Sequence, residues 1–208
     1  MDVIYECGVN FGKLIGTTYQ CVVSKKRNTY NFTIDFDLTD FYHLAGLGYL
    51  IDIDIPKNRT NTIHYIKNKK ITDELLAKSK YFKHDSLTNR DIQSRISELR
   101  FLEEYLDVNN MINIYNTRDG TNQNSLIKAD YVIQSRRPNS FTDVYIFLRK
   151  RDESDNYLVV SFFVKGALIY SGEKLYWMLK KKTQKNKTKV LFTKTSHSKN
   201  GICPLKTQ

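Results

Sequence analysis

Residues 144–165 read VYIFLRKRDESDNYLVVSFFVK, and this stretch decides the fold class. Val144–Arg149 and Tyr157–Lys165 are short runs rich in β-branched and aromatic residues, and period-two alternation assigns their side chains to two opposite faces; a turn-forming connection lies at 152–156. Alternation with a period of two is typical of β-strands, and a short polar connection joins antiparallel neighbours. The stretch therefore predicts a β-hairpin.

Further strands are indicated on the N-terminal side of this hairpin. Met111–Tyr115 and Ala129–Ser135 are short runs rich in β-branched and aromatic residues. Near the N-terminus, the runs Tyr19–Val23 and Tyr30–Phe36 flank the turn-forming residues 25–28 and predict a second hairpin.

Three helices are predicted between the two hairpin regions. The first is capped by Asp40, and the second begins at Thr72 with acidic residues in its first turn. The third is longer and begins at Thr88. Apolar residues at helical spacing support the first helix at Leu44, Leu47 and Ile51, and the third at Ile92, Ile96, Leu99, Leu102 and Leu106.

The order of helices followed by strands predicts an α+β fold. We expect an N-terminal hairpin and helices packed on one face of a mainly antiparallel, four- to five-stranded sheet. Beyond Gly166 the pattern favours a short helix at Leu168–Leu179 and an edge strand at Lys189–Thr195. The chain is therefore divided into a domain at 1–170 and a lysine-rich C-terminal extension at 171–208.

Charge is distributed unevenly along the chain. The net charge is +11, yet residues 1–117 hold 15 basic and 15 acidic residues, so the surplus lies in residues 118–208. A one-sided cationic surface attracts polyanions, of which nucleic acid is the commonest. The alternative is a solvated face that only keeps the protein soluble. Within the densest run, Lys180, Lys181, Lys182 and Lys185 are predicted to contact nucleic acid.

The sequence also excludes several classes of protein. It contains no leader-like segment and no run of about 18 apolar residues, and its three cysteines fit neither a metal knuckle nor a disulfide framework. We expect a cytoplasmic protein with reduced thiols and no membrane contact. Motifs for zinc, phosphate-loop and dinucleotide binding are absent, so neither a metal nor an organic cofactor is predicted.

The segment Phe41–Leu47 reads FYHLAGL and resembles the F-x-H-L-x-G-[LI] signature of the phage Barnase–EndoU–Colicin–RelE-like nucleases, fourth subgroup. Further similarity, extending over about residues 15–170, lies in the runs Ile71–Leu75 with Ser79, Arg95–Ile96 with Leu99, Tyr145–Leu148 and Val160–Phe163. The resemblance implies helices packed on an antiparallel sheet whose open face holds a metal-independent RNA-cleaving site.

The expected function is thus a metal-independent endoribonuclease of toxin or phage-effector type, acting through attack by the ribose 2′-OH. The alternative is a non-catalytic phage inhibitor or regulator built on a nuclease-like fold. RNA is the expected partner, with a host nucleic-acid-binding protein or a neutralising antitoxin as alternatives.

Such cleavage needs a base, a proton donor and cations near the phosphate. His43 falls in the first turn of its helix, where the macrodipole favours the neutral ring that can accept a proton. The alternative role for His43 is a hydrogen bond that fixes the helix to the sheet. Arg95 borders the apolar stripe of the long helix, so its partner is either a buried carboxylate or a phosphate.

The remaining candidates lie on the predicted strands. Unbroken alternation would put Ser161 and Lys165 on the open face of their strand, and both are taken as catalytic candidates. Arg149 shares the neighbouring open face with Tyr145 and Phe147, a mixture that can stack bases and bind phosphate. Arg136 and Arg137 end another strand beside the same surface. The alternative is an ordinary solvent-facing sheet.

Overall fold

The computed structural model describes residues 2–83, 91–116, 125–151, 154–166, 169–170 and 172–194. The helices are α1 Val3–Leu14, α2 Asp40–Leu44, α3 Thr62–Lys67, α4 Asp73–Leu76, α5 Ile92–Leu99 and α6 Leu102–Asp107, and a 3-10 turn spans Leu47–Tyr49. The strands are β1 Thr18–Lys25, β2 Asn28–Ile34, β3 Met111–Tyr115, β4 Tyr131–Arg136, β5 Asp143–Lys150, β6 Asn156–Val164, β7 Gly172–Gln184 and β8 Lys187–Thr193. None of the helices in these ranges is long and apolar enough to cross a membrane.

The strands form a closed ring. Their order is β1-β2-β6-β5-β4-β3-β7, and β7 pairs back onto β1, so that seven strands make a mixed barrel with β8 added alongside β7. Among the described strands, only the junction of β2 with β6 is parallel, through Thr33 with Asn156 and Ile34 with Tyr157. The expectation of a four- to five-stranded, mainly antiparallel sheet is therefore wrong.

The long strand β7 explains the difference. One of its edges pairs with β1, and β3 and β8 pair with successive parts of β7. The helix expected at Leu168–Leu179 is also wrong wherever this segment is described, because Leu175 and Trp177 are buried at a spacing of two, as on a strand. Residues 172–193 of the expected lysine-rich extension thus form two strands of the same sheet and the turn between them. Thr195, the expected end of the last strand, lies outside the described residues.

Lys180 shows how closely β7 is tied to the rest of the chain. Its side chain is 3 % exposed, and Nζ donates hydrogen bonds to the carbonyl oxygens of Leu106 and Val108 at 3.0 and 2.8 Å. Nζ also lies 4.4 Å from the centre of the Trp177 ring. Burial lowers the pKa of Lys180 to about 8. Lys180 therefore points into the interior and holds β7 to the C-terminal end of α6.

The strand predictions for β1 to β6 are confirmed within a few residues, and so is the helix beginning after Thr72. The long third helix is interrupted: α5 and α6 are separate, and its expected start at Thr88 lies outside the described residues. Helix α1 was not predicted. Asp73 caps it from a distance, since its carboxylate accepts hydrogen bonds from the backbone N–H groups of Val3 and Ile4.

Two hydrophobic clusters divide the sheet into two faces. On the first, called the core face, Ile133, Ile146 and Phe162 pack in one cluster with helices α1 to α6. On the other, called the second face, a smaller cluster contains Tyr145 and Phe147 and includes no residue of these helices. The core face stabilises the domain, and the second face adjoins the candidate site.

We expect Lys180→Gln to destabilise the protein by about 2 kcal/mol, because the shorter amide leaves buried carbonyl oxygens without a donor. Lys181→Gln is the matched control. Lys181 is only half-buried on the next position of β7, so its change should stay within about 0.5 kcal/mol. Chemical denaturation of the two variants measures the difference, and equal stabilities would contradict a structural role for Lys180.

Candidate active site

An open cleft of about 510 Å³ lies where α2 approaches strands β5 and β6. Its floor comes from the strands, one wall from α2 and the 3-10 turn, and the opposite rim from the segment before β4. The polar and charged residues of its lining are Thr39, Asp40, His43, Tyr49, Arg59, Lys128, Arg149 and Ser161.

A β-bulge in β6 shapes the floor of the cleft. Phe147 pairs with Ser161 and Leu148 pairs with Val159, so Val160 is an extra residue without a partner on β5. Bulges of this kind bend a strand and re-aim its side chains. The alternation is shifted as a result, with Val159 and Phe162 on the core face. The expectation of unbroken alternation along this strand is therefore wrong.

Helix α2 is fixed to the sheet at its first residue. Oδ2 of Asp40 accepts hydrogen bonds from the backbone N–H of Asp37 at 2.9 Å and from Nη2 of Arg151 at 3.3 Å. Arg151, just beyond β5, also pairs with Asp35 at 2.8 Å. The helix begins at Asp40 itself, so the N-cap position is Thr39 and the prediction of Asp40 as the N-cap is wrong. Because Asp40 and His43 lie three residues apart, the anchored turn also orients His43 toward the cleft.

The surroundings of His43 favour a neutral imidazole. The ring reaches solvent at the mouth of the cleft, but partial desolvation is the largest cause that lowers its pKa, followed by the nearby guanidiniums of Arg95 and Arg59. A backbone hydrogen bond with Val160 acts in the opposite direction, and Arg149 lowers the pKa further. The net shift is below the ordinary value of 6.5, so His43 can accept a proton at neutral pH.

Arg95 lies behind His43 in a largely buried position. Its side chain is 8 % exposed, and its guanidinium carbon lies 5.7 Å from the Tyr49 ring centre and 5.8 Å from that of Phe163. Two aromatic rings so placed stabilise a guanidinium through cation–π attraction. Arg95 is thus held as a fixed positive charge next to the imidazole.

Gly46 lets this arrangement form. Its φ of +74° ends α2 at Leu44, which is why the helix expected to continue through Ile51 is shorter than predicted. A Cβ at position 46 would lie 2.7 Å from Cδ1 of Ile92 and 3.2 Å from Nη1 of Arg95. Only glycine combines the left-handed backbone with this close approach of α5.

The structure brings some of the sequence-predicted residues together. His43, Ser161 and Arg149 line the cleft, and Arg95 is adjacent to it. Lys165 and Arg136 lie at the far end of β5, where both neighbour Asp143. The set expected to form one site is therefore split between the two ends of a strand.

The other predicted nucleic-acid contacts lie elsewhere. Arg137 pairs with Glu98 and covers the Phe101 ring at 3.8 Å. Lys182 forms ion pairs with acidic residues of α6. Lys180 donates hydrogen bonds to backbone oxygens, so neither side chain is a solvated lysine. Lys185 is exposed in the β7–β8 turn, while Lys181 is half-buried.

Sequence reasoning missed Arg59 and Tyr49 as cleft residues. Arg59 precedes α3 in a polar loop without periodicity. Its only sequence signal was charge, which does not say which loops meet. Among the described residues, no three or more His, Cys, Asp and Glu side chains are grouped in a way that could hold a metal ion.

Comparison with known protein families identifies the chain. The family described as phage-Barnase-EndoU-ColicinE5/D-RelE like nuclease4 matches residues 3–202. The chain belongs to this nuclease family. No curated protein and no solved structure gave a match. The family resemblance predicted from the sequence is confirmed, and the match includes both β7 and β8.

In this nuclease-family protein, the segment Phe41–Leu47 builds one side of the cleft. It supplies the body of α2, the cleft-facing His43 and the glycine against which α5 packs. Phe41 and Leu44 are buried in the core beneath the helix. His43 therefore lines the cleft, and Gly46 allows Arg95 to approach from α5 on the same side.

We expect Gly46→Ala to destabilise the protein by about 2 kcal/mol, from the left-handed backbone together with the crowded Ile92. It should also displace Arg95 and raise the pKa of His43 toward the ordinary value, which NMR titration measures. Gly12→Ala is the control. Gly12 lies inside α1, and a Cβ added there would meet open space, so alanine should raise stability by about 0.5–1 kcal/mol. Destabilisation by both substitutions would contradict the special role of Gly46.

Proposed function

We propose that the cleft is the active site of a metal-independent endoribonuclease that cleaves RNA through attack by the ribose 2′-OH. The observation that carries the proposal is His43, an imidazole biased toward its neutral form, at the mouth of an open cleft among three guanidiniums. A base beside clustered cations is what this reaction requires, because negative charge builds up on the phosphate in the transition state.

In the proposed reaction His43 takes the proton from the 2′-OH, and O2′ forms a bond to phosphorus. The bond from phosphorus to the 5′-oxygen breaks, that oxygen takes up a proton from solvent, and a 2′,3′-cyclic phosphate remains. His43 then returns its proton to solvent. Arg95, Arg149 and Arg59 stabilise the pentavalent phosphorane by charge. Ser161, on the floor of the cleft, hydrogen-bonds the substrate.

The choice of a polyanionic substrate is supported away from the cleft as well. Lys185, Lys187 and Lys189 are exposed on the β7–β8 hairpin, and the run from Lys174 to Lys194 contains no acidic residue. Lysines in this arrangement attract the phosphate backbone without regard to sequence. A substrate that extends beyond one nucleotide fits this distribution of charge better than a small molecule does.

The purified protein is expected to cleave bulk and transfer RNA in the presence of EDTA. His43→Ala should reduce the rate by a factor of about 10² or more, the usual contribution of a general base. His64→Ala is the matched control, since His64 is exposed on α3 and interacts with Asn68 away from the cleft. Absence of cleavage by the folded wild-type protein would contradict the proposal and favour the non-catalytic inhibitor.

The pH dependence follows from the lowered pKa of His43. A base must be deprotonated, so kcat/KM should rise with pH and reach half its plateau below pH 6.5, the ordinary imidazole value. Arg59→Gln removes one of the cations that lower this pKa, so the midpoint should move upward. Lys67→Gln makes the same charge change on α3 and should leave the midpoint in place. An unchanged midpoint in the Arg59→Gln variant would show that the group titrating in kcat/KM is not His43.

A further inference from the structure

Two aromatic rings of the second face, those of Tyr145 and Phe147, are not available to a ligand. Both residues are 0 % exposed and pack with the half-buried Phe163 and Tyr170. Tyr145 and Phe147 therefore cannot form the open stacking platform that the alternation suggested. A ring that stacks on a base has to be sought at another position.

Phe141 is the most exposed large hydrophobic side chain in the described part of the protein, at 98 %. It lies in the loop that joins β4 to β5. The loop has a defined conformation, since the N–H of Ser140 donates to the carbonyl of Arg137 at 3.3 Å and the N–H of Thr142 to the hydroxyl of Ser140 at 3.1 Å. Asn139 has a positive φ of 58°. The ring is thus held out into solvent by an ordered loop.

Two cationic side chains lie at the base of this loop. Nε of Arg136 donates to Asp143 at 2.6 Å, and Nζ of Lys165 lies 3.9 Å from the same carboxylate. Together with Asp143 they carry one net positive charge. An exposed aromatic ring beside cations is the combination with which proteins hold single-stranded nucleic acid, the ring stacking on a base and the cations meeting phosphates. An exposed hydrophobic residue alone would need no explanation.

The loop is also aligned with the cleft. Arg149 lies six residues along β5 from Asp143, which places the loop about 20 Å from the cleft along the strand. A strand of RNA that begins in the cleft must cover several nucleotides before it reaches Phe141. Single-stranded binding sites commonly extend over about four nucleotides or more.

We propose that the β4–β5 loop is a distal subsite for single-stranded RNA, in which Phe141 stacks on a base several nucleotides away from the scissile phosphate while Arg136 and Lys165 contact the backbone. This inference rests on the proposed function and extends it to substrate length. The protein then discriminates between long and short substrates through a residue outside the cleft.

Binding of 2′-O-methyl RNA, which 2′-OH attack cannot cleave, tests the subsite. Dissociation constants for a dinucleotide and a decanucleotide are measured by fluorescence anisotropy at one salt concentration. Phe141→Ala should weaken binding of the decanucleotide by about tenfold or more, the usual effect of losing one stacked base, and leave the dinucleotide unchanged. The thermal midpoint should not move, because the ring packs against little of the protein.

Two further substitutions identify the interaction. Phe141→Trp should restore decanucleotide binding, whereas Phe141→Leu should not, since leucine keeps an apolar side chain but cannot stack as a ring does. Tyr5→Ala removes another exposed aromatic ring, on α1, and should have no effect.

Unchanged binding of the decanucleotide by Phe141→Ala, equal losses for both lengths, or full restoration by leucine would each overturn the proposal, and the last would show an apolar contact in place of ring stacking. Failure of the endoribonuclease proposal is separate, because it appears as an absence of cleavage by the wild-type protein whatever these binding constants are.

Discussion

The pairing of β7 with three other strands is the constraint on which the architecture depends. A strand of 13 residues is long enough to meet β3 first and β8 later along its length while β1 pairs beside it. Without it, strand pairing between the described parts of the N-terminal hairpin and the β3–β6 sheet would be limited to the two-residue parallel contact between β2 and β6. The buried Lys180, which donates hydrogen bonds to carbonyl oxygens at the C-terminal end of α6, adds a polar contact at the same place. Closure of the ring therefore relies on residues that the sequence marks only as a lysine run.

The cleft depends on this closure because its walls come from distant parts of the chain. Helix α2 follows β2, and the β2–β6 junction places it over the bulged strand. Arg151 then pairs with Asp35 and Asp40 and connects the end of β5 to the start of α2. His43 is consequently positioned by two strands and an ion-pair cluster, although it lies on a helix of only five residues.

Positive charge is concentrated around His43 in the cleft. Three guanidiniums approach one imidazole, and the acidic residue that lines the cleft, Asp40, is already engaged with Arg151. Such a concentration of cations opposes folding unless it is compensated. Cation–π contacts with Tyr49 and Phe163 stabilise Arg95, and an anionic ligand would stabilise the rest. The arrangement fits a phosphate-containing substrate.

The sequence by itself determined the local elements and the family. Period-two alternation located β1 to β6, the Thr72 cap located α4, and Phe41–Leu47 indicated the nuclease family together with His43. These signals are local because they depend on neighbouring residues along one strand, one helix turn or one motif. The pattern failed at Gly46, Val160 and β7, where a left-handed residue, a bulge and a long strand pairing override the local periodicity.

The tertiary structure alone decided which charged residues meet. Arg59 and Lys128 join His43 at the cleft because loops far apart in the sequence converge there, whereas Lys180 turns inward and Lys165 lies at the other end of β5. A lysine or arginine carries the same charge in a core, an ion pair or a binding cleft, so composition cannot distinguish these places. Only strand order and register fix the distances over which those charges act.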